Sequence, residues 1–296
     1  MNSDNFKINL YLRDAIINKK RTAIIILILL IGSCLFLYYE NNHIVISKYS
    51  YTNEKVPSSF ENLKILQISD FHNAEFGKNQ NIAIKNIRQC EPDIIVITGD
   101  LIDRRKYDLE KSMNLVKQIV NVAPVYYVSG NHEAWSGHYD EVKKALLNEN
   151  VKVLDNDSVE IQKGKDSITL MGVKDPDFLT SNYIDGTNYS ELEKYLDSVS
   201  KDNKFEILLS HRPELMWLYK KYNIDLVFTG HVHGGQIRLP FVGGIIGPDQ
   251  GFFPKYDAGK FVEGDTTMIL SRGLGNSVFP FRIFNPPELV LVELGK

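Results

Sequence analysis

DIIVITGD, residues 93–100, is an apolar, strand-like run that ends on a Gly-Asp pair. Four other segments repeat this arrangement. LKILQIS (63–69) runs into Asp70-Phe71-His72, PVYYVS (124–129) into Gly130-Asn131-His132-Glu133, FEILLS (205–210) into His211, and DLVFT (225–229) into Gly230-His231-Val232-His233. Five of the seven histidines fall in these clusters. Asp, Asn and His are oxygen and nitrogen ligands for divalent metals. In an open α/β sheet, ligands bind beyond the carboxyl ends of the strands, so five such ends predict one site.

The segments around these runs fix the architecture. Strands 64–69, 93–98 and 124–129 alternate with helices 79–90 and 109–121, the rhythm of βαβ crossovers with parallel pairing. After helix 138–148, VKVL, SVEIQ and SITLMGV read as an antiparallel meander. Helix 189–200, strand 205–209, helix 213–222 and strand 225–229 restore the α/β pattern, and GQIRL, TTMILS and ELVLVEL make the tail strand-rich. Two α/β halves with β-rich segments predict an α/β fold of two packed sheets with helices outside, a single domain over residues 61–296. Residues 240–260, rich in Gly, Pro and aromatics, form a long loop directly after the last His pair, which places it beside the site.

Counting one ligand each from Asp70, His72, Asp100, Asn131, His211, His231 and His233 gives seven. A single tetrahedral zinc uses fewer. Two divalent metals sharing a bridging carboxylate suit the number, and donors without thiolate fit manganese first, with iron or zinc as alternatives. The spacing of two in Asp70-x-His72 and His231-x-His233 puts each pair on one side of an extended segment. Two metals ~3.5–4 Å apart favour in-line displacement at phosphorus by a bridging hydroxide. His132, beside Asn131 but not needed as a ligand, is placed as a general acid for the leaving oxygen.

The N-terminus adds a location. Thr22 to Tyr39 is uncharged and mostly Ile and Leu. At ~1.5 Å per residue it covers roughly 27 Å, close to the hydrocarbon thickness of a bilayer. Lys19, Lys20 and Arg21 precede it, so the positive-inside rule puts residues 1–21 in the cytoplasm and everything after Glu40 outside. The segmentation is then a tail (1–21), a signal-anchor (22–39), a juxtamembrane spacer (40–60) and the globular domain. A lipoprotein signal is the competing reading, since Ile31-Gly32-Ser33-Cys34 has the form of a lipobox with Cys34 as the lipidated residue. The net charge of −3 gives no electrostatic case for nucleic acid.

In order, D-x-H, G-D, G-N-H-[DE], H and G-H-x-H resemble the calcineurin-like metallophosphoesterase family over residues 64–234. The wording around them (VITGDLID, TGHVHGGQIRLP, DQGFFPKYDAGK) is similar to a bacterial membrane-associated phosphodiesterase subgroup. The resemblance implies a four-layer α/β/β/α sandwich following the transmembrane helix. It implies one metal on Asp70, His72 and His233, a second on Asn131, His211 and His231, and Asp100 as the bridge, with His132 catalytic. The function expected is a membrane-anchored phosphoester hydrolase acting on a phosphodiester or pyrophosphate, with a lipid-linked or cell-envelope substrate suggested by the anchor. A phosphomonoesterase is the alternative enzyme, and a catalytically silent metal-binding surface module the alternative from another class. Arg212 and Arg272 are candidate phosphate contacts, and Phe252 and Phe253 candidate walls of an apolar substrate groove. Asp103 reads as a turn residue or as a partner to a ligating His. Glu133 reads as a helix cap or as a residue that orients His132.

Overall fold

The central runs form strands because their residues are apolar on both faces. The computed structural model describes residues 3–179, 188–199, 204–277 and 279–296. Its first half contains helix α1 (Ser3–Asn42), strands β1 (Val45–Thr52) and β2 (Lys64–Ile68), helix α2 (Asn81–Gln89), strand β3 (Ile94–Thr98), helix α3 (Leu109–Ile119), strand β4 (Val125–Val128), and helices α4 (Asn131–Ser136) and α5 (Tyr139–Asn148). There follow β5 (Lys152–Val153), β6 (Asp157–Lys163), β7 (Asp166–Gly172), helix α6 (Ser190–Val199), β8 (Glu206–Leu209), helix α7 (Met216–Lys221) and β9 (Leu226–Thr229). The tail is strand only: β10 (Arg238–Leu239), β11 (Gly243–Gly244), β12 (Ile246–Gly247), β13 (Gly251–Phe252), β14 (Gly259–Glu263), β15 (Thr266–Leu270) and β16 (Glu288–Gly295). Ser200, the predicted end of helix 189–200, and residues 1 and 2 of the predicted tail lie outside the described residues.

Two six-stranded sheets result, in the orders β1-β16-β2-β3-β4-β5 and β14-β15-β9-β8-β7-β6. Strands β2, β3 and β4 are parallel, as are β7, β8 and β9, so their carboxyl ends share one edge of the sandwich. Every residue of β3, β4, β8 and β9 is buried, as expected of parallel strands covered on both faces. The period of two divides each strand between cores. Ile94 and Val96 of β3 face the other sheet and meet Ile207, Leu209 and Phe228, while Ile95 and Ile97 pack under Ile87 of α2 and Val116 of α3. On the second sheet, Leu208 and Val227 turn outward against Leu196 of α6 and Leu218 of α7. Three apolar layers thus separate four layers of structure, the α/β/β/α sandwich. Truncating an Ile or Leu in these layers to Ala costs about 2–5 kcal/mol.

Three sequence expectations are corrected. VKVL does not join the meander: Lys152 and Val153 pair parallel with Tyr126 and Tyr127 and close the first sheet. Residues 240–260 are not one irregular loop, since β10 pairs with β11 and β12 with β13 as short antiparallel hairpins.

The third correction concerns residues 40–60, where the sequence places a spacer. VISKYSYT instead forms β1, which pairs along its whole length with β16, from Val45 opposite Glu288 to Thr52 opposite Gly295. Tyr51 is buried between the sheets and donates to the Asp225 carbonyl at 3.1 Å. The strand escaped the pattern because it lies at a sheet edge, where polar residues face solvent.

Helix α1 is therefore attached without a linker. Its Ile and Leu side chains from Ile24 to Ile31 are all more than half exposed, and the segment Ile16–Asn42 is long and apolar enough to cross a membrane. Its last turn is built into the domain. Glu40 accepts from the Asn285 amide at 2.8 Å, Asn41 accepts from the Arg282 amide at 2.9 Å, and the rings of Phe36 and Phe284 lie 5.1 Å apart.

These contacts make β1 part of the folding unit. A chain beginning at residue 61 loses the strand and buried Tyr51, a loss of about 3–5 kcal/mol by analogy with large aromatic truncations. At about 2–4 °C per kcal/mol, its thermal midpoint should fall by roughly 10 °C relative to a chain beginning at residue 41. Equal midpoints by calorimetry would show the strand to be dispensable.

Candidate metal centre

The clusters converge because their loops are tied together by hydrogen bonds. The Glu133 carboxylate accepts from the amides of Gly130 at 2.7 Å, Asp100 at 2.8 Å and Ile102 at 3.1 Å. It thereby fastens the loop after β3 to the start of α4. The Asp100 Oδ1 returns the link by accepting from the His132 amide at 2.8 Å. The His231 amide donates to both Asp70 oxygens, at 3.0 and 3.1 Å, which joins the loop after β9 to the loop after β2 across the two sheets. Gly99, at φ +85°, has no room for a side chain: a Cβ there would lie 2.6 Å from His211 Nδ1 and 2.8 Å from Gly130 Cα.

Two groups of donor atoms form where these loops meet. Asp70, His72, Asp100 and His233 make one and Asp100, His211 and His231 the other, so that Asp100 is common to both. In the first group, His72 Nε2 lies 3.1 Å from His233 Nε2, and Asp70 Oδ1 lies 3.3 Å from His233 Nε2. In the second, His211 Nε2 lies 3.0 Å from Asn131 Oδ1, 3.2 Å from His231 Nδ1 and 3.3 Å from Asp100 Oδ2. All seven residues are buried.

The electrostatics fit a cation in each group. Burial pushes the His233 imidazole down to about 4 and lowers His72 as well, the latter helped by the nearby His132. Two largely neutral rings thus aim nitrogens at each other from 3.1 Å, where at most one can carry the intervening proton. For Asp100, burial opposes ionisation, but His211 and His132 overcome it and hold the carboxyl well below its usual range. Burial likewise opposes charge on His211, and the Asp100 carboxylate outweighs it, raising the ring to about 10. Inward-facing imidazole nitrogens and carboxylate oxygens without thiolate are the donor set of hard to borderline divalent metals.

His132 stands between this cluster and a cavity of about 460 Å³. Its Nδ1 accepts from the Arg104 amide at 3.2 Å, with Asp103 Oδ1 at 3.5 Å. An amide donor at Nδ1 leaves the neutral ring's proton on Nε2. Of the two roles that the sequence offers for Asp103, the structure shows the turn residue, which accepts from the Arg105 amide at 2.9 Å; the histidine beside it is His132, not one of the expected ligands. Glu133 acts as the tie between loops as well as a cap, and burial together with the Asp100 charge raises its carboxyl to about 7.

Other site expectations are corrected. Arg212 does not face the cavity; its guanidinium is buried among Asp175, Asp177 and Asp249 at 2.6–3.0 Å. Arg272 is turned to Glu288 at 2.9 Å. Phe252 and Phe253 are exposed and do not line the cavity, whose apolar wall comes from Ile246, Pro248 and Phe279 instead. Asp70 and His72 do meet in one group, but the extended-chain premise for the two D/H-x-H spacings fails. Asp70, His72, Asp100, His231 and His233 all have left-handed φ between 48° and 75°, so the segments are turned rather than extended, and His231 and His233 point into different groups.

Sequence reasoning also passed over residues that carry the site. Arg104 lies at the cavity wall with its guanidinium 4.2 Å from the centre of the Trp135 ring. Asn285 donates to the backbone carbonyls of His233 and Gln236 at 2.7 and 3.1 Å. Asp249, from the 240–260 segment, lies 3.0 Å from His231 Nε2. The one available signal was the predicted position of that segment beside the last His pair.

A family model described as calcineurin-like phosphoesterase matches residues 63–235. An uncharacterized metallophosphoesterase of Bacillus subtilis (strain 168), YkuE, is 30% identical over 87% of this chain and 87% of its own length. An uncharacterized metallophosphoesterase of Aquifex aeolicus (strain VF5) is 30% identical over 87% of this chain and 94% of its own length. A Bos taurus transmembrane protein with metallophosphoesterase domain is 30% identical over 81% of this chain, which spans 54% of that protein.

The Glu133 tie has a measurable consequence. Glu133→Ala strands three buried amide donors, each costing about 1–3 kcal/mol, and frees the loop that carries Asp100. Metal content by elemental analysis and the thermal midpoint should fall together, with Glu133→Gln intermediate. Wild-type metal content in Glu133→Ala would reject the role.

Proposed function

The chain belongs to the calcineurin-like phosphoesterase family, and from that footing we propose that it is a membrane-anchored, two-metal hydrolase of phosphodiesters or pyrophosphates. The observation that carries this reading is the pair of ligand groups sharing Asp100 beside His132. Asp70, His72 and His233 would hold one metal, Asn131, His211 and His231 the second, and Asp100 both. Manganese is the metal proposed, with iron or zinc as the alternatives. Two divalent ions bound there supply Lewis acidity toward water and the phosphoryl oxygens.

The chain's own groups do the rest. His132 presents its Nε2 proton toward the leaving oxygen, where general acid catalysis contributes about 10²–10⁴-fold. The Arg104 amide holds the ring in that orientation. The Arg104 guanidinium, braced on Trp135 at the cavity wall, is suited to a substrate oxyanion. A cavity of about 460 Å³ exceeds what a lone phosphate needs, and Ile246 and Phe279 give it an apolar side, which favours a substrate with groups on both sides of phosphorus. The basic residues before the apolar segment support a cytoplasmic N-terminus with the domain across the membrane. The unbroken helix α1, joined to the domain at Glu40 and Asn41, supports a retained span over processing at Cys34.

Hydrolysis of bis-p-nitrophenyl phosphate should be lost on chelation and restored by Mn²⁺; robust turnover of the metal-free protein would sink the mechanism. Asp100→Asn should lose metal and activity together. His132→Ala should keep its metal and lose about 10²–10⁴-fold in kcat. The faster rate should be on the diester of a matched mono- and diester pair.

A further inference from the structure

Outside α1, single apolar residues such as Ile82, Leu147, Trp217 and Val262 are exposed on separate elements, but six more are gathered on one strip that starts at the end of α1. Phe284 packs on Phe36, four residues before the first charged residue past the span, Glu40. At ~1.5 Å per helical residue, the loop carrying Phe284 sits roughly 6 Å below the level of Glu40, at the depth of the apolar segment itself. From there the backbone continues sideways. Ile283 bridges to Ile237, β10 pairs with β11, the Ile245 amide donates to the Ile237 carbonyl, and β12 pairs with β13. Leu239, Phe241, Val242, Ile246, Phe252 and Phe253 project from this strip, all more than two-fifths exposed and Phe241 fully so. Scattered single exposures need no explanation, but a contiguous patch of this kind marks an interaction surface.

We infer that this strip lies in the interfacial layer of the bilayer that α1 spans, so that the candidate metal centre opens at the membrane surface. The occupant is the lipid bilayer and not a second protein, because the strip is tied to a helix whose position in the membrane sets its depth. The two ends of the site mouth agree. Ile246 and Pro248 of the strip, with Phe279, wall the cavity that His132 also lines. A neighbouring cavity of about 680 Å³ runs from Asn41 and Asn42 at the end of α1 to His72, with Arg105 and Lys106 on its rim. Apolar side chains on one side and a polar and charged lining on the other, with Lys106 and the Asp103-paired Arg105 beside Glu75, match the acyl boundary and the headgroup layer of a leaflet. The inference deepens the proposed function: the substrate class is an amphiphilic phosphoester that stays in the bilayer while its phosphorus reaches the site.

The test uses the full chain in phosphatidylcholine vesicles. Phe241→Trp adds fluorescence at the strip, and Lys165→Trp adds it at the β6–β7 turn, on the end of the sheet away from the site. Brominated phosphatidylcholine should quench roughly half or more of the emission added at 241 and little of that added at 165, as expected for a side chain in the interface. Equal quenching at the two positions, or none at 241, overturns the docking whether or not the protein is active. Leu239→Ser/Phe241→Ser/Val242→Ser should hydrolyse soluble bis-p-nitrophenyl phosphate at the wild-type rate. Its rate on a long-chain alkyl p-nitrophenyl phosphate held in the vesicles should fall about tenfold or more. An unchanged vesicle rate overturns delivery from the bilayer. Loss of hydrolysis of both substrates by the wild-type protein would instead sink the proposed function and leave the quenching result to decide the docking.

Discussion

The Asp100 carboxylate is the point on which both sheets close. It is buried at the end of β3, accepts from the His132 amide beyond β4, and faces His72 from β2 and His211 from β8. Its own amide is held by Glu133. Asp70 is buried a few ångströms away, and among the described residues neither carboxylate pairs with a lysine or arginine. Burying a carboxylate is costly unless positive charge is supplied. Histidines that burial holds neutral cannot supply it, and His211 alone cannot balance two carboxylates. The arrangement is therefore one that bound metal cations would complete. The loops at five strand ends are shaped around a charge balance that the polypeptide leaves unfinished.

Backbone conformation tells the same story from the other side. Asp70, His72, Asp100, His231 and His233 sit in the left-handed region, which Asp and His tolerate better than most residues but which still costs on the order of 1–3 kcal/mol per strained site. Such positions persist only where their surroundings over-determine them. The Glu133 tie, the His231 amide on Asp70 and the side-chain-free approach at Gly99 provide that determination. Removing any one of them relaxes several ligand positions at once, because each hydrogen bond joins two different loops.

Much of this was legible in the sequence, for a physical reason. Strands β2, β3, β4, β8 and β9 are buried on both faces, so they read as apolar runs, and the residues that end them are of ligand types rare in apolar surroundings. What was hidden depends on distance along the chain or on sheet edges. Strand β1 alternates polar and apolar residues at an edge and reads as linker. Arg212 reads as a phosphate contact because it adjoins His211, yet its carboxylate partners Asp175, Asp177 and Asp249 each lie 35–37 residues away. Glu133 reads as a cap because its first partner, Gly130, is local, while Asp100 and Ile102 are not. Spacing rules that assume an extended chain failed at Asp70-x-His72 for the reason that makes the site work, since the turn there aims both side chains at one point.

The attachment of α1 changes what a membrane anchor means for this fold. A flexible spacer of twenty or so residues would let the domain sample every orientation above the bilayer. Here the helix passes into β1 within three residues, and β1 is a full member of the first sheet. Glu40, Asn41 and Phe36 each contact the segment 276–285, which also places Arg282 and Asn285 against His233. One short stretch of chain therefore joins the last turn of the span to a ligand of the candidate metal centre. Under the proposed placement of α1 across a bilayer, the helix direction would also set the orientation of the site relative to the lipid surface. A substrate confined to that same surface, as proposed, would then meet the site at a high effective concentration.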